Sequence, residues 1–264
     1  MKIDRVIFCL NNNKTYTGFW NPFSRVWKQK YNIKPTLMFV GTKEELESND
    51  FSEEWGEIYR LDPVEDVIVD PNLDWSTTWA LFYGSSLFED EVCLTMGIDQ
   101  LPLSNNFFNF LLNSDETGDD KYVIALADAY KGFLPNVYPS SWHIAKGSTY
   151  KRILQLDSDW ERELKKVFSH REKYPTLPEN FWALDELYSS DIINQYVKQN
   201  EDNKVVLLQI FHNVWKLGRL DRGGRLSYDK EKLIRGEYTE GHFPRPYEEY
   251  KEYFSSLIKD LLGD

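Results

Sequence analysis

Cysteine is nearly absent from this chain, with two residues, Cys9 and Cys93, among 264. That excludes a disulfide framework. Both lie in apolar runs, so they read as buried thiols of a reducing compartment, the cytoplasm. Positive charge is also short. Lys and Arg number 31 against 43 Asp and Glu, for a net charge of −12. This removes the basic surface that non-specific nucleic-acid binding requires. No apolar window approaches the length of a transmembrane segment. The opening MKIDRVIFCLNNN is too short and too interrupted for a signal peptide. Aromatic residues, by contrast, are abundant at 16%, nine of them Trp. That is enough for a sizeable core, with rings left over to line a pocket for flat ligands.

Short apolar, β-rich runs bounded by polar or Gly/Pro residues predict strands at 5–10, 36–40, 57–61, 92–96, 122–126 and 205–210, with a further short one at 67–69. Helical spacing of apolar residues predicts helices over 19–31, from a cap at Asp74 to about 88, over 182–197, and from Pro246 to the C-terminus. Residues 142–154 start irregular and end helical. Ser158 and Glu161 form a capping box for another helix. Residues 101–112 read as a return across the surface. Residues 114–120 (SDETGDD) read as a solvated acidic turn, since the calcium-loop spacing is missing. Strands alternate with helices through the first half, which implies an α/β fold with a mainly parallel central sheet flanked by helices. Pro175 to Pro178 is the best boundary candidate but is short, so one domain over 1–264 is expected.

Four clusters could carry chemistry. Asp99 follows the 92–96 run just past Gly97, where a buried strand would deliver a carboxylate to the mouth of an α/β sheet. Asp185 and Glu186 open a helix, where acidic residues also serve the helix dipole. Arg219, Asp221, Arg222 and Arg225, with two glycines, suggest a phosphate cradle or equally a solvated turn. His242 and Arg245 lie in a Gly- and Pro-bounded loop suited to a ligand or metal.

The order of these clusters resembles that of nucleotide-diphospho-sugar glycosyltransferases of the GT-A fold, and among them the small enzymes of bacterial and viral glycan synthesis. The matching stretches are Gly97 to Pro102, His143 to Gly147, Trp182 to Glu186, Leu220 to Arg222 and His242 to Tyr247. The resemblance covers nearly the whole chain. It implies a nucleotide-binding part over about 1–110 and an acceptor part over about 111–264. It also implies a divalent metal, Mn²⁺ or Mg²⁺, on Asp99 and His242, with Asn11, Asp99, Arg219 and Arg222 holding the donor. Asp185 or Glu186 would be the general base of an inverting reaction, with Asp185 favoured. The chain departs from the pattern at Gly97, where the family carries the first Asp of its metal motif.

The expected activity is transfer of a hexosyl or deoxyhexosyl group from a nucleotide-diphosphate sugar to a glycan or other hydroxyl acceptor, in surface polysaccharide or glycoprotein glycan synthesis. The alternative, motivated by Gly97, is a non-catalytic sugar-nucleotide or glycan binder on the same fold. A sugar nucleotidyltransferase ranks last, because Asn11-Asn12-Asn13-Lys14 lacks the glycines of a phosphate loop.

Overall fold

The computed structural model describes residues 1–67, 75–112, 118–174, 183–210, 218–223 and 227–264. Four parallel strands are built from the first half of the chain: β1 (Arg5–Leu10), β2 (Lys34–Val40), β3 (Glu57–Leu61) and β4 (Val92–Thr95). A short β5 (Gln100–Pro102) leaves this sheet. The chain then returns through β6 (Tyr122–Ile124), β7 (His143–Lys146) and β8 (Val205–Leu207). The seven-stranded order is β3-β2-β1-β4-β7-β6-β8, with β7 antiparallel to both of its neighbours. The mainly parallel α/β architecture expected from the sequence is the one observed.

Strand pleating divides the core in two, because successive side chains point to opposite faces. Val6, Phe8 and Leu10 of β1 enter one cluster, while Ile7 and Cys9 enter the other. The first cluster is closed by α1 (Trp20–Tyr31), α4 (Asn106–Leu112) and the C-terminal helix Lys251–Leu262, with Leu46 of the short α2 (Lys43–Glu47) packed against it. The second is closed by α3 (Trp75–Ser86), α5 (Gly147–Ile153), α6 (Trp160–Ser169) and α7 (Leu184–Gln199). In α1, Phe23, Val26 and Trp27 fall at helical spacing and are fully buried. Each such side chain contributes roughly 1.5–3 kcal/mol of apolar transfer. The helix stops at Asn32, whose left-handed backbone lets its N–H reach the Trp27 carbonyl.

The chain winds outward from β1 to β2 and β3, then crosses back to place β4 on the other side of β1. This reversal opens a crevice beyond the C-terminal ends of β1 and β4, the usual ligand position in an open α/β sheet. A second sheet roofs it, formed by β5, β9 (Leu220–Asp221) and β10 (Glu240–His242) in the order β5-β10-β9.

Several expectations change. Residues 101–112 do not lie on the surface: Leu101, Leu103, Phe107 and Leu111 are buried in the first core. Helix α6 is capped by Asp159, whose side chain accepts from the Arg162 N–H, and not by a Ser158 box. Residues 143–146 are strand. The 122–126 and 205–210 runs shorten to three residues each. Val67 closes a 3₁₀ turn. Asp74, residues 68–69, most of the acidic turn, Trp182, and Pro175 to Pro178 lie outside the described residues.

Candidate active site

A cleft of about 330 Å³ occupies the crevice. Its floor comes from the ends of β1 and β4, which supply Asn11 and Gly97 to Asp99. Asn11 and Asn13 accept hydrogen bonds from the backbone two residues on, which turns the chain sharply after β1. The triplet of asparagines therefore shapes the loop that lines the cleft.

The roof presents a cationic group. Asp99 Oδ2 is 3.4 Å from Arg245 Nε, 3.6 Å from Arg222 Nη1 and 3.4 Å from His242 Nε2. The small sheet makes this convergence possible, since β5 pairs with β10 with His242 opposite Gln100, and β10 pairs with β9. Arg245 also lies over the Tyr16 ring at 4.8 Å, and burial lowers its affinity for the proton. Arg219 behaves differently from what the sequence suggested. Its side chain is 5% exposed and does not line the cleft. It sits behind His242, donating to Nδ1 at 2.8 Å and facing Asp221 and Glu240 at 3.2 and 2.9 Å. Glu240 is fully buried, and among the described residues no hydrogen bond reaches either carboxylate oxygen. Its ion pair with Arg219 is off the N–H line. Burial pushes the Glu240 carboxyl up to about 8, against the pull of Arg219.

The opposite wall is acidic, with no cation among its described residues. Asp185 and Glu186 begin α7 and diverge, as adjacent helical residues must. Glu186 lines the cleft beside Ser140 and Ser141; Asp185 is sealed behind, 2% exposed, and accepts from the Ser140 hydroxyl. Glu186 Oε1 accepts from the Tyr130 hydroxyl at 3.0 Å and from the Ser140 N–H at 3.3 Å. Burial pushes both carboxyls above their usual range. The Ser140 and Thr78 hydroxyls restrain the rise at Asp185, and the Asp185 charge adds to it at Glu186. A carboxyl held up in this way is poised to exchange a proton near neutrality. The sequence favoured Asp185 as the group meeting substrate, but it is Glu186 that reaches the cleft.

The geometry does not fit a divalent cation on Asp99 and His242. A guanidinium can only donate, so His242 Nδ1 is the acceptor and the ring hydrogen sits on Nε2, facing Asp99. Nε2 then has no lone pair to offer. Two guanidiniums already face the same Asp99 oxygen. At Gly97 a second carboxylate would be crowded: a Cβ would stand 3.1 Å from Asp99 Oδ1 and 3.2 Å from the Gln100 amide, which folds back onto the Gly97 N–H. Among the described residues no group of three or more His, Cys, Asp or Glu gathers in metal-binding geometry.

Sequence reasoning passed over Ser140, Tyr130, Tyr16, Gln100 and Glu240. Only the paired serines at 140 and 141, before Trp142, offered a faint signal. Arg225 lies outside the described residues.

This sheet order and its crevice are those of the GT-A fold. Solved structures that share it include two of a galactosyltransferase. The galactosyltransferase LgtC, in complex with donor and acceptor sugar analogues, is 13% identical with a TM-score of 0.50, over 96% of this chain and 95% of that chain. An active-site mutant of LgtC is 12% identical with a TM-score of 0.52 over the same shares. At these identities the likeness is one of fold. No protein-family model matches the chain, and no curated protein matches it in sequence.

Proposed function

We propose that the chain is a glycosyltransferase that moves a sugar from a nucleotide-diphosphate sugar to an acceptor hydroxyl. One observation carries the reading. Within a single cleft, at the strand ends of a GT-A fold, a desolvated carboxylate faces a group of guanidiniums. Sugar transfer needs those two things. The bond from the anomeric carbon to the diphosphate oxygen breaks, and its electron pair leaves with the diphosphate. Arg222 and Arg245 stabilise that developing charge. The acceptor oxygen bonds to the anomeric carbon and, in an inverting course, gives its proton to Glu186. Ser140 and Tyr130 orient the acid pair, and Asp185 raises the basicity of Glu186 from behind.

Synthesis of a surface polysaccharide or glycoprotein glycan is the setting we favour. Two buried free thiols fit a reducing compartment such as the cytoplasm, and no described helix is long and apolar enough to cross a membrane. The second reading, a non-catalytic binder, draws on Gly97. Incubation with a panel of nucleotide sugars, reading nucleoside diphosphate release, separates the two. We expect slow hydrolysis of at least one donor, lost in Glu186→Gln. Binding without release from any donor, with or without simple sugar acceptors, would favour the binder.

A further inference from the structure

We infer that the cleft binds the diphosphate of its ligand without a divalent cation, with Arg222 and Arg245 taking the place a metal would hold. The inference rests on the nucleotide-sugar reading above. It is carried by geometry around one atom, Asp99 Oδ2, which two guanidiniums and the His242 Nε2–H approach within 3.6 Å. A carboxylate ringed by donors is not a vacant metal ligand. It is an internal anion that keeps the two arginines together while the cleft is empty. A divalent cation beside it would meet two fixed positive charges at close range. A phosphate oxygen arriving there meets the same two charges as attraction, and guanidinium forks match phosphate oxygens two at a time.

The supporting residues agree. Gly97 provides no second carboxylate to pull a metal in, and the Gln100 side chain folds back against the Gly97 N–H. Arg219 fixes the His242 ring with its hydrogen outward, as a further donor toward the cleft. Tyr16 lies under Arg245 and limits the directions in which its guanidinium can swing. Arg222 is 40% exposed and Arg245 is 29% exposed, so both heads are open to a ligand while their carboxylate partner is nearly covered.

Asp99 gives a test whose sign separates the two possibilities. In a metal site, Asp99→Asn removes the anchoring ligand and binding is lost. In an arginine site, the same change removes a competing anion, and diphosphate binding is retained or tightened. The experiment is calorimetric titration of the full chain with UDP, GDP, ADP, CDP and dTDP, each in excess EDTA and again in manganese. We expect at least one to bind with the same affinity in both buffers. For that nucleotide, Asp99→Asn should bind at least as tightly as wild type. Arg222→Gln, at a half-exposed position that leaves folding intact, should weaken it about ten- to a hundredfold, the worth of a charge-assisted hydrogen bond. Arg245→Lys should weaken it less than Arg245→Gln. Binding seen only in manganese, and lost in Asp99→Asn, overturns the inference and leaves the glycosyltransferase reading standing. Binding of none of the five in either buffer overturns the nucleotide-sugar reading itself, and this inference with it.

Discussion

The two acidic stations of the cleft are solvated in opposite ways. Asp99 is ringed by donors, two of them cationic: Arg222, Arg245 and the His242 N–H all approach one oxygen. Among the described residues, Asp185 and Glu186 meet neutral donors, the hydroxyls of Ser140, Thr78 and Tyr130 and a backbone N–H. An ion among fixed counter-charges is held in place and organises those charges for another anion. Acids in a dry pocket with neutral partners keep their protons longer and can trade them. The sequence shows acidic residues in both places; the division of labour comes from what the fold packs around them.

The comparison breaks first at Glu186. Glu186→Gln keeps the size and the Tyr130 contact but removes the proton acceptor. Transfer should fall by about 10²–10⁴-fold, with nucleoside diphosphate affinity nearly unchanged. Matched rate assays and calorimetry check this, and parallel losses in rate and affinity would mean that Glu186 only helps to build the pocket.

The neutral-donor side depends on His143. This residue is fully buried, bonded to the Tyr122 hydroxyl at 2.8 Å and to the Pro139 carbonyl at 2.7 Å, and so supports the turn that carries Ser140. Burial lowers its imidazole from 6.5 to about 4. The unfolded chain therefore binds a proton that the folded chain refuses. The stability this represents is complete above pH 6.5 and is lost as pH falls toward 4, about 3 kcal/mol at most. Urea titrations across that window should show a shallower acid loss for His143→Gln than for wild type. Equal slopes would remove His143 as the cause.

Gly97 tests the cationic side. Introducing a carboxylate by Gly97→Asp should not create a metal site, because Arg222 and Arg245 still face Asp99 and the new side chain would crowd Asp99 and Gln100. Crowding should instead lower stability by about 1–3 kcal/mol. Thermal melts with and without manganese measure this, and a manganese-dependent gain in melting temperature would argue for latent metal ligation.

How far the sequence carried these conclusions follows from the length of the elements. β1, β2 and β4 are continuous buried runs, and α1 and α3 carry dense aromatic faces, so their pattern is strong. They alone bring Asn11 and Asp99 to one cleft. β5, β9 and β10 have two or three residues each and exist only through pairing between distant segments. No local periodicity announces them, yet they bring Arg222 and His242 to Asp99. The choice between Asp185 and Glu186 was beyond reach for a related reason. It depends on how α7 is rotated against α3 and on where the 139–141 turn lies.

The most direct measurement is the pH profile of the transfer rate at saturating donor and acceptor, for wild type, Asp185→Asn and Glu186→Gln. The account predicts a rate that rises with pH through a limb displaced above the ordinary glutamate range, because burial and the Asp185 charge hold the Glu186 proton on. Removing that charge in Asp185→Asn should move the limb to lower pH, and Glu186→Gln should abolish it. A limb in the ordinary carboxylate range, or one that stays put in all three proteins, would contradict the assignment of Glu186 as the proton acceptor.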